Sequence, residues 1–488
     1  MPRHHIVSVG NDLRAQFPRS PFSLLRRLLL AGFCFLSLLF AGPQGCQKPA
    51  QPAPTVKITL IDMGWWDKEF IDWRAQAIAE FTRETGIQVE VLPSPESTVE
   101  QLALWRKLLE SDARVPDVYA VDMIWPGILA ENLVDLKAYV PAQEIAAQFP
   151  KLIENNTVNG RLVALPAGLD AAVLYFRTDL LRRYGYKSPP ATWDDLERMA
   201  RRIQKGERAR GRKNFWGFVW QGAASEALTC NALEWQVSEG GGAIVENRRI
   251  TVNNPQTVRA WERAARWVGS ISPPSVVAYQ EWDTFNLWQA GDAAFMRNWA
   301  TSFALGLAPN SPLKDKVGVT SLPAGRAGSV GALGGLGYGV SRHSLHPQEA
   351  AALVRYLARR DVQISHLEEA GGPPTLPELY SDPKVLQANS YMPILQRVYR
   401  DGVVLRPSTV TGKKYSDVSR AYFEAVHSVL TGKKGAAQAA ADLQNELMQI
   451  TGLAPGVPGP GVPSLGVPPL PPNPANPVAS PPKERRLE

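Results

Sequence analysis

Predicted strands alternate with predicted helices from residue 56 onward, and this alternation constrains the fold more than any other feature of the chain. The series begins with a strand at 56–61, a helix at 69–85, a strand at 88–92, a helix at 98–111 and a strand at 116–122. Such alternation is typical of a mostly parallel α/β sheet. Open sheets of this kind bind ligands at the carboxyl ends of their strands, which makes Asp122 a candidate binding residue.

The stretch 161–196 is the most informative segment of the chain. It predicts a strand at 162–166, a Gly-Leu-Asp turn at 168–170 and a second strand at 171–176. Thr192 can cap the helix that follows, and Asp194 and Asp195 suit the positive end of its dipole. Asp170, in the predicted turn, is a second candidate binding residue.

The remaining elements complete a body that is too long for one core. Further helices are predicted at 130–136, 178–184, 193–205, 224–239, 255–268, 284–290, 347–359, 383–398, 415–431 and 436–450, with strands at 293–298 and 316–321 and a glycine-rich run at 331–339. A single core rarely extends beyond roughly 250–300 residues, so two lobes are expected. The predicted first lobe is 55–166 with 300–375, and the second is 167–299 with 376–453. Three crossings between them would permit hinge closure.

The two ends of the chain predict export and a tail. Residues 28–40 form an apolar run that is too short to span a bilayer, which takes about 20 residues, and they suit a signal peptide over 1–45. Cys46 is a candidate lipidation site followed by a tether at 46–54, although Pro43 stands where a lipoprotein signal has Leu, so a simple soluble periplasmic product stays open. The Pro-rich segment 454–488 predicts a disordered tail, either a passive spacer or a docking strip.

Charge and cysteine content exclude several classes of function. The formal net charge is +7, but five Arg and one Asp precede Cys46, so the body is nearly neutral and lacks the basic footprint of a nucleic-acid-binding protein. Cys230 is the one cysteine of the body, so no disulfide forms within it, and its apolar helix predicts a buried, inert thiol. His366 and His427 are isolated and interpreted as surface residues, which predicts neither a metal site nor a cofactor.

Several motifs resemble one family, in order along the chain. The run 214–222, NFWGFVWQG, with the Glu-Gly-Gly at 239–241, the run 291–299 (GDAAFMRNW) and the Gly-Gly at 334–335 are similar to trehalose/maltose-binding proteins, a branch of the family-1 extracellular solute-binding proteins. The resemblance implies the two-lobe, maltose-binding-protein-like (class II) α/β fold. It also implies a monomer that captures a di- or oligosaccharide and delivers it to an ABC permease driven by an ATPase. The protein would act in the periplasm or at the outer face of the cell membrane.

The resemblance also implies a set of sugar-contacting residues. These are Glu69, Asp122, Asp170, Glu281, Trp299, Gly335, Leu336 and Arg406. In a sugar site, carboxylates accept from hydroxyls, arginine donates in a fork, and indole covers the apolar face of the ring. Without the resemblance, Trp299 could equally be a core residue, Asp122 a helix cap, Arg406 half of a surface salt bridge and Glu69 an ordinary helix-start acid.

Three departures from the family pattern bear on the ligand. Gly168 and Leu336 stand where the relatives have aromatic residues, and Leu102 or a neighbouring residue stands where they have an arginine. These changes favour an α-glucoside other than trehalose itself. The alternative function is an exported carbohydrate-active enzyme of the glycoside hydrolase type, in which two carboxyl groups flank the scissile bond. A metal- or polyamine-binding lipoprotein is a third class, for which the sequence lacks ligand spacing.

Overall fold

The computed structural model describes residues 56–64, 68–302, 311–389 and 391–459. The predicted signal peptide, the tether with Cys46 and most of the predicted tail lie outside the described residues. The first residues of that tail, Ala454–Pro455, form a short strand beside Arg249–Ile250. None of the helices in the described ranges is both long and apolar enough to cross a bilayer.

Fourteen strands are found among the described residues. They are β1 Lys57–Ile61, β2 Gln88–Leu92, β3 Val118–Asp122, β4 Thr157–Val158, β5 Arg161–Leu162, β6 Leu165–Arg177, β7 Trp216–Val219, β8 Val245–Glu246, β9 Arg249–Ile250, β10 Ala293–Trp299, β11 Val317–Thr320, β12 Gly331–Val340, β13 Val403–Val404 and β14 Ala454–Pro455. The strands predicted at 56–61, 88–92, 116–122, 293–298 and 316–321 are confirmed to within two residues at each end. The strand predicted at 162–166 is wrong, because these residues are divided between the end of β5 and the start of β6.

Helices separate most of these strands. In chain order they are α1 Lys68–Thr85, α2 Thr98–Glu110, α3 Pro126–Leu129, α4 Ala142–Ala146, α5 Pro150–Asn156, α6 Thr178–Arg183, α7 Trp193–Ala209, α8 Glu226–Ser238, α9 Pro255–Trp267, α10 Glu281–Gln289, α11 Pro347–Leu357, α12 Arg360–Ala370, α13 Pro383–Ala388, α14 Met392–Asp401, α15 Ser408–Thr411, α16 Tyr415–Leu430 and α17 Ala436–Thr451. Single 3₁₀ turns lie at Ala130–Asn132, Leu136–Ala138, Pro274–Ala278, Pro377–Ser381 and Gly412–Lys414.

The main sheet has the strand order β2-β1-β3-β12-β6-β10-β7, with β11 also on β6 and β13 also on β12. Strand β1 is parallel to β2 and β3, whereas β12 runs antiparallel to both β3 and β6. The first part of β6 pairs with β12, and its last part pairs with β10 and β11. One long strand therefore belongs to both halves of the molecule.

The prediction of a turn at 168–170 was wrong, because β6 runs without interruption through these residues. Gly168 and Asp170 both pair with β12, opposite Leu336 and Gly334. The glycine-rich run that supplies these partners is itself a strand, and its missing side chains allow the two backbones to approach. Asp170 therefore lies in the middle of a strand and not in a loop.

Two large apolar clusters flank this sheet. The first core packs α1, α2, α11 and β1–β3 around residues such as Phe81, Trp105 and Tyr338. The second core packs α7, α8, α9 and α16 around a group of tryptophans, in which Trp235 lies edge-to-face with Trp220 and Trp267, with ring centroids 5.0 and 5.7 Å apart. A third, smaller apolar cluster contains Phe285, Trp288 and Met296.

Two of the local predictions are confirmed and one is wrong. The Thr192 cap is confirmed, since its hydroxyl accepts from the Asp195 amide at 3.1 Å and the Asp195 carboxylate accepts from the Thr192 amide at 3.3 Å. Cys230 is fully buried, as predicted, and burial raises its pKa to about 12. The helix predicted at 130–136 is wrong, because Leu133 leaves the helical conformation to form a β-bridge with Ser341.

His366 also differs from its interpretation as a surface residue. It is buried between α1 and α12, where its ring stacks on Trp73 with centroids 4.2 Å apart. Burial lowers its pKa to about 4, so the ring is neutral at physiological pH. No cluster of three or more His, Cys, Asp or Glu side chains suited to a metal ion occurs in the described part of the chain.

Candidate functional site

Trp299 ends β10 at the point where the chain leaves the second half of the sheet. A Cβ built on Gly334 of β12 would lie 2.9 Å from Cζ3 of the Trp299 indole and 3.2 Å from the Cβ of Asp170. The absence of a side chain at Gly334 therefore allows the indole to lie against the strand, next to Asp170. Trp299 remains partly exposed, as a surface that receives a ligand must be.

A buried ion pair supports the indole. The guanidinium carbon of Arg297 lies 4.6 Å from the centroid of the Trp299 ring, which is within range of a cation–π interaction. Arg297 Nε donates to Glu234 Oε2 at 3.0 Å, and both side chains are buried. The same guanidinium donates to Gln221 Oε1 at 3.0 Å. These contacts cover one face of the indole and fix its position.

Sequence reasoning missed Arg297 and Glu234 as functional supports. A signal was available, since β10 is otherwise a run of buried residues and a charged side chain inside such a run requires a partner. Glu234 likewise lies on α8, whose residues are almost all buried. Their pairing depends on how α8 packs on β10, which the sequence does not reveal.

Glu281 contacts the edge of the same indole. It is the first residue of α10, and its Oε1 accepts from the Trp299 indole N–H at 3.3 Å. A capping box between Gln280 and Asp283 fixes the start of that helix. The structure thus brings together Trp299, Asp170 and Glu281, three of the residues predicted from the sequence.

Asp170 is held by hydrogen bonds from its own strand and from the residues that follow β10. Its Oδ1 accepts from the amides of Ala171 and Ala300, both at 2.8 Å, and its Oδ2 accepts from the Thr301 hydroxyl at 2.7 Å. Burial raises its pKa to about 6, although these hydrogen bonds oppose the rise. Most of the hydrogen bonds that this carboxylate can accept therefore come from the protein, and they position the residues that follow Trp299.

Gly335 and Leu336 bring strand β12 close to β6. Gly335 has φ +112°, and a Cβ there would lie 2.3 Å from the carbonyl oxygen of Gly168, so the position requires glycine. Leu336 is buried in the first core. A Cβ on Gly168 would lie 3.6 Å from the Leu336 side chain, so the two positions where the family has aromatics are neighbours here.

Asp122 lies at the end of β3, as the strand pattern predicted. Its partner on β12 is Leu336. Its Oδ1 accepts from the Ile124 amide at 3.1 Å, so it does cap the following turn. Burial raises its pKa, and the nearby Arg406 guanidinium opposes that rise. The guanidinium therefore offsets part of the cost of burying the Asp122 carboxylate.

Arg406 is buried, so it is not half of a surface salt bridge, the alternative that the sequence left open. It donates to Glu226 Oε1 and to the carbonyl oxygen of Leu333, each at 2.9 Å, and so connects α8 to β12. Glu226 also accepts from the hydroxyls of Tyr415 and Ser419. The sequence did not single out Glu226 as a site residue, although its place in the first turn of α8 is an acidic helix-start signal.

Glu69 is not brought into this group. It is exposed in the first turn of α1, and among the described residues it forms no hydrogen bond or ion pair with the other candidates. Two surface depressions, one on α2 and one beside α4 and α5, also lie away from the candidates. The candidate site is therefore defined by the side chains that converge where β6, β10 and β12 lie side by side or end.

Comparison with known proteins gives a consistent set of matches. Residues 68–364 match the family model for bacterial extracellular solute-binding proteins. A probable ABC transporter-binding protein of Deinococcus radiodurans is 44% identical over 374 residues, which is 76% of this chain and 89% of the relative.

Solved structures are similar over most of the chain. Maltose-bound MalE3 of T. maritima is 33% identical with a TM-score of 0.73, and the match covers 81% of this chain and 100% of that one. The GacH receptor of Streptomyces glaucescens, solved unliganded and with acarbose, is 20% identical with a TM-score of 0.69, covering 82% and 99% of the two chains. The second likeness concerns the fold alone.

Proposed function

Because the chain belongs to the bacterial extracellular solute-binding proteins, we propose that it captures a di- or oligosaccharide and delivers it to an ABC permease. Its fold is the α/β fold of the maltose-binding-protein-like structures, as the sequence predicted. The family model that matches is one of solute-binding proteins. The proposed ligand is an α-glucoside of the maltose or trehalose type.

The observation that carries the sugar proposal is Trp299 with its neighbours. One face of the indole is supported by Arg297, and its edge is fixed by Glu281 and by the backbone at Gly334. A pyranose has an apolar C–H face that such an indole covers, and hydroxyls that carboxylates bind. A rigid aromatic surface beside carboxylates is what a sugar requires.

The other candidates then take distinct roles. Asp122 and Glu281 accept from sugar hydroxyls, and Gly335 offers backbone atoms. Arg406 acts by holding β12 in place and by balancing the charge of Asp122, because two of its donor contacts are already made within the protein. Glu69 would join the site only if the sugar extends to the start of α1. Leu336 limits the depth of the site from the first core.

The protein is proposed to capture the sugar by closure of its two predicted lobes. The first predicted lobe is 55–166 with 300–375, and the second is 167–299 with 376–453. The sugar would contact residues of both and select the closed form, which then docks on the permease. The predicted signal peptide and Cys46 would place the protein outside the cytoplasm, anchored to the membrane through lipid. The partners are therefore the sugar, the permease with its ATPase and the membrane.

A glycoside hydrolase remains the second candidate, because burial raises the pKa of both Asp122 and Asp170. A raised pKa is what a general acid needs. The carboxylate of Asp170, however, is occupied by two amides and a hydroxyl and so is poorly placed to transfer a proton to a substrate.

One experiment separates the two functions. Purified protein is incubated with maltose and with trehalose, and both the release of glucose and the unfolding temperature are measured. A higher unfolding temperature without glucose supports capture, because a ligand that binds only the folded state stabilises it. Release of glucose that is lost in Asp122→Asn would instead establish hydrolysis.

A further inference from the structure

Trp282 is an exposed tryptophan immediately beside the candidate site. Its relative exposure is 65%, and it is the one aromatic side chain among the large exposed hydrophobic residues of the described chain. Burial of an indole removes a large apolar surface from water, and most tryptophans here are buried in the cores. An indole left in water at this place therefore calls for a specific reason.

The position of Trp282 connects it to Trp299. It follows Glu281, whose carboxylate accepts the Trp299 indole N–H at 3.3 Å. Successive side chains of a helix point about 100° apart, so Trp282 leaves the first turn of α10 in a different direction from the Glu281 side chain that reaches the inner indole.

The Trp282 ring is also held in place. It lies edge-to-face with Phe285, with ring centroids 5.7 Å apart and an interplanar angle of 88°. Phe285 is itself buried in the third apolar cluster, with Trp288 and Met296. A ring that is fixed by a core residue and open to solvent loses little conformational entropy when a ligand covers it.

We propose that Trp282 forms an outer subsite, on which a further pyranose ring stacks when the sugar is longer than a disaccharide. The inference rests on the proposed sugar-binding function and adds to it that the preferred ligand is an oligosaccharide. The inner ring lies on Trp299, the hydroxyls near the junction face Glu281, and the chain of sugar rings continues toward Trp282. Gly168, which has no side chain, does not narrow the site from β6.

The test compares native protein, Trp282→Ala and Trp282→Phe by calorimetric titration with maltose, maltotriose and maltotetraose. Native protein is expected to bind the longer sugars more tightly than maltose. In Trp282→Ala that gain is expected to fall by about tenfold, as the loss of roughly 50 Å² of apolar contact implies, while the affinity for maltose stays unchanged. Trp282→Phe, which keeps an aromatic ring, should retain part of the gain.

Leu345→Ala serves as the matched control, because Leu345 is also exposed, at 61%, and lies outside the site. Its affinities should equal those of the native protein for all three sugars. The outer subsite is overturned if Trp282→Ala binds the whole series like the native protein, or if it weakens all three sugars equally. Native protein that binds none of them would instead overturn the proposed function, and the subsite with it.

Discussion

The replacement Trp299→Ala is expected to weaken sugar binding severely and to leave the unliganded fold nearly intact. Trp299 is partly exposed and ends its strand, so its removal opens no large internal cavity. What the fold loses is a cation–π contact with Arg297, about 1 kcal/mol, and a hydrogen bond to Glu281 of similar size.

The expected loss of affinity follows from the area of the indole that a sugar would cover. An aromatic side chain buries roughly 200 Å², and a pyranose lying on one face would cover about half of that area. At about 25 cal/mol per Å² the contact contributes about 2.5 kcal/mol, so the dissociation constant should rise by about 70-fold. Trp299→Phe keeps a smaller ring without the N–H, so its dissociation constant should lie between those of the native protein and Trp299→Ala.

The assay is calorimetric titration of each variant with the best-bound sugar, together with thermal unfolding in its absence. The exposed residue Val99 provides the control Val99→Ala, which should bind like the native protein. An affinity of Trp299→Ala within twofold of the native value would refute the platform role. A collapse of the unliganded unfolding temperature would show that Trp299 is mainly a structural residue.

Three further predictions concern the support of the site. Glu234→Gln leaves Arg297 buried without its counter-charge and should lower the free energy of unfolding by about 3–5 kcal/mol in urea denaturation; an unchanged midpoint would contradict the buried pair. Gly335→Ala should lower the unfolding temperature clearly because of its positive φ and its contact with β6, whereas Gly435→Ala, at a helix N-cap in open space, should lower it far less. Asp170 has a folded-state pKa of about 6, above the usual value of about 3.9 for Asp, so the folded state binds more protons between these values. Native stability relative to Asp170→Asn should therefore fall by about 2 kcal/mol as the pH rises from 4 to 7, and parallel pH profiles of the two proteins would contradict this.

The class of fold and the main elements could be predicted because local signals determine them. The Thr192 capping box and the burial of Cys230 depend only on neighbouring residues and on helix periodicity. Strand β6 was harder to predict, because Gly168 and Asp170 are turn formers by composition. Their extended conformation comes from pairing with β12, which lies far along the chain.

The site was predictable in part for the same reason. Trp299, Asp170 and Glu281 were selected from the sequence and do converge, but their distances depend on the registers of β10 and β12 against β6. The supports of the site escaped prediction, since the pairs Arg297–Glu234 and Arg406–Glu226 join residues that lie far apart in sequence. A buried charge signals that a partner exists but does not identify it.

Calorimetric titration of the native protein with trehalose, maltose, maltotriose and maltotetraose tests most directly whether the chain captures a sugar. We expect one saturable site for at least one of these sugars, a negative heat-capacity change from apolar burial, and recovery of the sugar unchanged afterwards. The same titration should give a much weaker signal with Trp299→Ala. No binding of any of the four sugars, or glucose in the cell after titration, would contradict sugar capture at this site.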